Sequence, residues 1–377
     1  MKRVETKAHA CAARVTAFCM VAVLSYMGVK SASAQGGEKH SASVAGSEVG
    51  RLWVERAIAP GFQHLAQQSR NLQQHFEQGC IEADPAWLHK TSSGFESVVK
   101  AWSGVAFLRF GPLVEDNRYE RLSFWPDPRG VMLRQVSGTL QQFQGEEPAV
   151  PIGQSSVAVQ GLPALEYVLY RDKGVLNQSL SADERRPLCR YAADLTKNIA
   201  SVAGELSEAW LLPDGEYAQR FVKPAENNPV YRSNQEILSE GVKALSTGLQ
   251  FVRDIQLAPP LMGSESKVAV KKAPYWRSGL TGPAIAASLR GMRTFVLAPD
   301  LLPADQEWIV DQIEAELGRA AQQANTLPLA DEAVPSPSLR QEWMLLGRIV
   351  DNAKDLTDAD LASVLGVNVG FNALDGD

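Results

Sequence analysis

The sequence is poor in the residues that build metal and catalytic sites. Only five histidines occur in 377 residues, and all of them precede residue 90. Neither H-E-x-x-H nor H-x-x-E-H is present, so the usual zinc-peptidase helices cannot form. G-x-S-x-G, Walker A, helix-opening G-x-G-x-x-G and cysteine zinc patterns are missing as well. His64 and His75 lie eleven residues apart, and we expect both at the surface or in helix-capping positions.

Long apolar runs are also absent once the N-terminus is set aside. No segment after residue 34 offers the roughly 18 uninterrupted apolar residues that a membrane-spanning helix needs. Residues 1–34 have the order of a secretory signal peptide: a positive start, an apolar run from Val15 to Val29, and the small residues Ala32-Ser33-Ala34. We therefore expect cleavage after Ala34, a flexible N-terminus over residues 35–50, and a periplasmic mature protein without a membrane span.

Positive charge is scarce in the expected mature chain. Cleavage after Ala34 would leave 32 of the 37 basic and 42 of the 43 acidic residues, a net charge of about −10. A surface of this sign argues against a nucleic-acid partner.

Cysteine is nearly absent from the expected mature chain, which would retain Cys80 and Cys189 of the four. An oxidising compartment favours a disulfide between them, closing a loop of more than 100 residues. Because no C-x-x-C motif is present, we expect a structural bridge rather than a redox pair.

Apolar residues at helical spacing are abundant, and 45% of the chain is hydrophobic. The pattern predicts long helices with these bounds: Val54–Cys80, Ala86–Phe110, Leu188–Leu212, Asn234–Leu257, Thr281–Leu297, Pro303–Ala324 and Pro337–Ala353. The segment PAENNPVYR at 224–232 interrupts the periodicity. We predict an all-α protein of two tandem four-helix-bundle domains, over residues 51–223 and 224–377.

The segment RFGPLVEDNRYERLSFWPDPRG at 109–130 interleaves charges of both signs with aromatic residues. It suits either an ion-pair network at a domain contact or a polar ligand site. Carboxylates here are candidate ligands for a hard cation. The candidate ligands are Glu115, Asp116 and Asp127, and the candidate lining residues are Arg118, Trp125 and Arg129.

The segment APYWRSGLTGP at 273–283 places Arg277 and Ser278 after two aromatic residues and just before a predicted helix. Such a helix entrance can bind an anion or a planar group. The same segment could equally be a loop that plugs into the domain interface.

The segment GLPALEYVLY at 161–170 contains the ionisable residue Glu166 in an apolar run. Pro163 fits the first turn of a helix. The spacing predicts Glu166 at the edge of the apolar stripe, half-buried. Its carboxylate either stabilises the positive end of the helix dipole or faces the cleft between the bundles, opposite Arg277 or an arginine of 109–130.

These three segments, with GFNALDGD at 370–377, resemble the imelysin-like proteins of bacteria over essentially the whole mature chain. The resemblance implies an all-helical protein of two similar four-helix bundles, exported to the periplasm or envelope, with a functional site at the bundle interface. Members were first classed as metallopeptidases and are now associated with iron uptake or iron metabolism.

The family's signature, G-x-H-x-x-E, matches Gly161 to Glu166 with Pro163 at the histidine position. Proline offers no imidazole to a metal, so this departure weakens the metallopeptidase assignment, and a lone Glu166 is insufficient for catalytic zinc. The resemblance nevertheless marks Glu166 as a candidate site residue.

We predict a non-catalytic periplasmic binding protein for iron or another metal. Oxygen donors would suit ferric iron or another hard cation, whereas arginines would suit a carboxylate-bearing iron chelate. Envelope iron-transport proteins are the expected partners. The predicted site adds Tyr167, Arg277 and Ser278 to Glu166 and the candidates of 109–130. A metal-dependent peptidase and an envelope scaffold protein are the alternatives.

Overall fold

Every regular element that the structure describes is helical. The computed structural model describes residues 48–145, 150–262, 267–327, 337–368 and 370. Within these ranges no strand occurs, which confirms the all-α prediction. The expected signal peptide and nearly all of GFNALDGD lie outside the described residues. Among the helices so described, none has the length and apolar character needed to cross a bilayer.

The long predicted helices are all present, most of them with one or both ends shifted. In chain order the α-helices are α1 Ala59–Glu77, α2 Pro85–Val105, α3 Arg118–Leu122, α4 Val131–Gln142, α5 Leu162–Tyr170, α6 Ala182–Ala209, α7 Glu216–Val222, α8 Asn234–Gln250, α9 Ala258–Leu261, α10 Thr281–Leu297, α11 Trp308–Asn325, α12 Pro337–Asp355 and α13 Ala362–Val364. A π-helical turn at Val54–Ile58 leads into α1, and another at Phe251–Leu257 continues α8 beyond Gln250.

Local capping explains where two of the helices begin. The Asp84 side chain accepts a hydrogen bond from the Trp87 backbone N–H at 2.7 Å, and Pro85 takes the first position of α2, where a missing N–H costs nothing. Helix α6 begins six residues before the predicted Leu188, because Ser181 and Glu184 form a capping box.

The two halves of the chain meet where α2 crosses α10. Helix α1 packs against α2 and α6, and α10 packs against α11, so the α2–α10 contact joins the two groups. A Cβ atom at Gly291 would lie 1.9 Å from the carbonyl oxygen of Gly104. The crossing is therefore close enough to require glycine at position 291.

The first described residues also contact the C-terminal half. The Trp53 ring stacks on Phe295 with centroids 4.7 Å apart, and its Nε1 donates to the Phe295 carbonyl at 3.0 Å. Residues 48–50, which the sequence placed in a flexible N-terminus, are helical. The described residues of 41–377 form one compact unit, and the division into bundles at 223/224 stays a prediction.

The expected disulfide is confirmed. Cys80 and Cys189 are bonded with their Cα atoms 5.7 Å apart and 109 residues of sequence separation. The bridge ties the turn after α1 to α6, so it reinforces the packing of those two helices.

We expect Gly291→Ala to lower the free energy of unfolding by about 1–3 kcal/mol or more, because the new methyl group would force α2 and α10 apart. Gly347→Ala in α12 is the matched control, since no atom of the described residues outside its own helical backbone lies within 4 Å of its ideal Cβ. The control should be neutral or more stable by up to about 1 kcal/mol. Guanidinium unfolding of both variants measures the difference, and equal effects would contradict the close crossing.

Candidate functional site

Glu166 is buried rather than half-buried, with 3% of its surface exposed. The half-buried position was predicted on the assumption that only one apolar face of the helix is covered by a neighbouring helix. Helix α5 is short, however, and every residue from Leu162 to Glu166 is covered. Pro163 lies in its first turn, as predicted. A carboxyl group in this position has lost its hydration and requires protein donors.

The glycine before α5 permits a close backbone contact. A Cβ atom at Gly161 would lie 2.4 Å from the Leu122 carbonyl oxygen and 2.7 Å from that of Arg121. Only glycine lets the start of α5 approach the end of α3 so closely. The contact holds α5 against the segment 109–130.

Ser278 supplies the donors that Glu166 needs. Its backbone N–H and its hydroxyl donate to Glu166 Oε1 at 2.9 and 2.8 Å, across 112 residues of sequence. Burial raises the pKa of the Glu166 carboxyl, and the Ser278 hydrogen bonds and the charge of Arg277 offset only part of that rise. The pair fixes the loop before α10 onto α5.

The loop at residues 273–280 has a specific backbone shape. Tyr275 has a left-handed φ of 54° and Gly279 a φ of 76°. The Thr281 hydroxyl donates to the Pro274 carbonyl at 2.6 Å, and the Leu280 N–H donates to the Tyr275 carbonyl at 3.0 Å. The Tyr275 side chain is buried, whereas Trp276 and Arg277 are partly exposed. Adjacent side chains of the loop therefore face opposite environments: Tyr275 packs into the protein interior, and Trp276 and Arg277 are in contact with solvent.

An open cleft of about 410 Å³ lies beside Glu166, between the end of α5 and this loop. We name it the aromatic–arginine cleft, lined by Tyr167, Tyr170, Arg171, Asp172, Lys173, Trp276 and Arg277. The lining contains three cations and one acid, so the cleft favours an anion.

The guanidinium of Arg277 rests on aromatic rings in this cleft. It lies 4.3 Å from the Trp276 ring centroid and 5.3 Å from that of Tyr167. The guanidinium of Arg171 lies 5.1 Å from the Tyr167 centroid. Burial lowers the pKa of Arg277, and the negative charge of Glu166 opposes that change. The rings hold both guanidinium groups at the wall of the cleft. The Nε of Arg171 donates to the Asp172 carbonyl at 3.3 Å, so its terminal nitrogens and the Arg277 guanidinium are the groups that could meet a ligand.

The acidic candidates of 109–130 have other partners. Arg118 contacts Asp116 and Glu205, each at 3.0 Å, and Glu115 at 3.7 Å, in a network whose acids are well exposed. Asp127 caps α4 by accepting from the Val131 and Met132 N–H groups, both at 2.8 Å. These contacts favour the ion-pair alternative for this part of the segment.

Of the predicted site residues, the structure brings Glu166, Tyr167, Arg277 and Ser278 together. Glu115, Asp116, Arg118, Asp127 and Arg129 do not line the aromatic–arginine cleft, and Trp125 lines a separate internal cavity. Sequence reasoning missed five cleft residues as site candidates. They are Tyr170, Arg171, Asp172, Lys173 and Trp276. The sequence held one indication of these residues: they lie close in the chain to the predicted site residues Tyr167 and Arg277.

The expectation of a surface or capping position is wrong for His75. It is 5% exposed, its Nε2 lies 2.9 Å from the Thr91 hydroxyl, and its ring stacks on Trp87 with centroids 4.7 Å apart. Burial lowers the pKa of His75. Among the described side chains, no group of three or more His, Cys, Asp or Glu is arranged to hold a metal ion.

Comparison with known proteins places these features in a family. The imelysin family model matches residues 58–354. An imelysin-like protein from Psychrobacter arcticum 273-4 superposes with a TM-score of 0.69 at 18% identity, covering 87% of this chain and 98% of that one.

A second solved structure shares the fold. It is named "putative iron-regulated protein A precursor", from Parabacteroides distasonis ATCC 8503, with a TM-score of 0.63 at 13% identity, covering 86% of this chain and 94% of that one. No curated protein matches the chain.

We expect Glu166→Gln to gain stability relative to the wild type as the pH rises. The amide oxygen can accept both Ser278 donors but carries no buried charge. Because the folded pKa of Glu166 is raised above its ordinary 4.5, the folded state retains a proton that the unfolded chain has lost. Glu166 therefore stabilises less as the pH rises from 4.5 to its folded pKa. Unfolding titrations across this window measure the difference, and a pH-independent one would contradict the shift.

We expect Ser278→Ala to cost about 1–3 kcal/mol, because a buried carboxyl group loses one of its hydrogen-bond donors. Ser137→Ala is the control, since its exposed hydroxyl bonds only to a carbonyl of its own helix. The control should stay within about 0.5 kcal/mol of the wild type. Equal free energies of unfolding would show that the Ser278 hydroxyl contributes nothing.

Proposed function

The chain belongs to the imelysin family, and on this premise we propose that it is an exported, non-catalytic protein that binds a carboxylate-bearing metal chelate. The binding site is the aromatic–arginine cleft beside Glu166. The metal is iron, carried as cargo inside an anionic complex.

The arrangement of Arg277 carries this proposal. The guanidinium lies 4.3 and 5.3 Å from the centroids of two aromatic rings, and no carboxylate in the described chain forms an ion pair with it. A stacked guanidinium keeps its fork of N–H groups in one plane, which matches a carboxylate with two parallel hydrogen bonds. Arg171 and Lys173 line the same cleft, so a ligand with several carboxylates meets several cations.

Direct coordination of a bare ferric ion fits the cleft poorly. Asp172 is the one acid in its lining, and Glu166 is buried with Oε1 already accepting two hydrogen bonds from Ser278. Hard cations take several oxygen ligands, which a multidentate chelator would supply instead. Glu166 then acts as a positioning residue that holds Ser278 and, next to it, Arg277.

Two further considerations support the choice of iron and of an exported protein. The name of the Parabacteroides structure connects that protein with iron regulation. The expected signal peptide would deliver this chain to the periplasm, a compartment through which metal chelates pass during uptake. Envelope iron-transport proteins are the proposed recipients of the chelate. The peptidase alternative has no observation of its own in the described chain.

We expect the purified protein to bind ferric citrate and its redox-inert analogue gallium citrate in calorimetric titrations. Arg277→Met should raise the Kd by about 10–100-fold, because one charge-assisted contact contributes roughly 1.5–3 kcal/mol. Arg129→Met is the matched control, since this exposed arginine does not line the cleft. Its Kd should equal that of the wild type.

Two results would contradict the proposal. If neither metal citrate gives a heat of binding, the protein does not bind the chelate. If Arg277→Met and Arg129→Met raise the Kd equally, the aromatic–arginine cleft is not the binding site. Chelator-sensitive cleavage of a peptide library by the wild type would instead support the peptidase alternative.

A further inference from the structure

A second site lies on the inner side of the loop at 273–280. A small cavity of about 30 Å³ is lined by residues of both halves, including Arg109, Tyr119 and Trp125 from the first and Gln256 and Tyr275 from the second. It shares no lining residue with the aromatic–arginine cleft. Neither the family match nor the chelate proposal assigns it a ligand.

Three of the side chains that line this cavity carry a buried polar atom without a hydrogen-bond partner among the described residues. These atoms are Trp125 Nε1, Gln256 Oε1 and Tyr275 Oη. Tyr275 is 6% exposed, so water outside the protein does not reach it, and the nearby Ser123 hydroxyl, which opposes part of the burial-driven rise in the Tyr275 pKa, is not within hydrogen-bond geometry of Oη. Buried polar groups are nearly always satisfied, and three unsatisfied groups around one cavity indicate an occupant that bonds to them.

The charge of the cavity defines the class of the occupant. The guanidinium of Arg109 lies 3.9 Å from the Tyr119 ring centroid and 4.3 Å from that of Phe251. No acidic residue lines the cavity, and no described carboxylate forms an ion pair with Arg109. A partly buried cation against two aromatic rings attracts a negative charge more strongly than it would in water.

We propose that this cavity binds a small monovalent inorganic anion of the size of chloride. The volume accommodates one or two water-sized species, which excludes sulfate, phosphate and any metal chelate. Arg109 supplies the charge, and Trp125 Nε1 and the Tyr275 hydroxyl donate hydrogen bonds. A half-turn of the Gln256 amide presents its NH₂ group in place of the oxygen.

The anion would connect the two halves of the chain. Arg109 and Trp125 precede the segment at 224–232, whereas Gln256 and Tyr275 follow it. An anion that binds only the folded protein stabilises it in proportion to its concentration. Chloride therefore acts as a bridge between segments that have no covalent connection at this point.

The first test compares melting temperatures in sodium chloride, sodium bromide, sodium gluconate and sodium sulfate at matched ionic strength. We expect chloride and bromide, and not gluconate or sulfate, to raise the Tm by roughly 2–4 °C at about ten times the Kd. Gln256→Glu, which is nearly isosteric but adds a negative charge, should abolish the halide effect. Gln63→Glu at an exposed position of α1 is the control and should retain it.

The second test does not depend on a variant that could fail to fold. Crystals of the wild type grown in sodium bromide should show an anomalous peak between Arg109, Trp125 and Tyr275. Tyr275→Phe, which removes one hydroxyl group, should weaken the halide effect several-fold.

Other results would contradict the proposal of an anion site. Equal Tm values in chloride and gluconate without a bromide peak would leave water as the occupant. A sodium-dependent rise in the Tm of Gln256→Glu would indicate a cation. Repeating the gallium citrate titration in sodium gluconate separates the two sites, because the cleft should bind the chelate without chloride.

Discussion

The hydrogen bonds from Ser278 to the buried Glu166 carboxyl are the constraint on which both proposed ligand sites depend. A carboxyl group without water is tolerated only when donors reach it, and here both donors belong to one residue 112 positions along the chain. The loop at 273–280 must therefore lie against α5. Once it does, Arg277 is held at the end of α5, and Tyr275, three residues before Ser278, is buried on the inner side.

This arrangement changes what a signature glutamate means in this chain. An ionisable residue beside a glycine and a proline in an apolar run invites a metal-ligand interpretation, but Glu166 has almost no exposed surface and its Oε1 already accepts two hydrogen bonds. Its raised pKa follows from the same burial. A ligand would reach the arginine and aromatic residues that Glu166 positions, rather than the carboxylate itself. The signature glycine, Gly161, is also explained by packing, because its missing Cβ lets α5 approach the backbone of Leu122.

Local sequence patterns could predict the helices, whereas the site depends on contacts that no local pattern contains. The apolar spacing and the flanking breakers marked Thr281–Leu297 with both ends correct. The resemblance and the apolar run singled out Glu166, and the segment at 273–283 singled out Ser278, but nothing in either segment indicates that the two residues pair. Burial was underestimated for Glu166, because a single helical stripe predicts one covered face and tertiary packing covered the rest. The tertiary contacts that bury His75 likewise have no counterpart in its local sequence. The acids near Arg118 show the reverse case, in which high charge density produced a surface ion-pair network.

Charge connects the two proposals. The whole chain has a formal net charge of −6, yet the loop at 273–280 borders positive groups on both of its sides. The cleft contains Arg171, Lys173 and Arg277, and the cavity contains Arg109 with no acid in its lining. In an acidic protein, cations gathered in concave and partly desolvated places focus a local positive potential. Such places select anions and repel free metal cations. A metal carried by this protein should therefore arrive inside a complex whose own ligands have made it negative, and the size of each site then decides which anion enters.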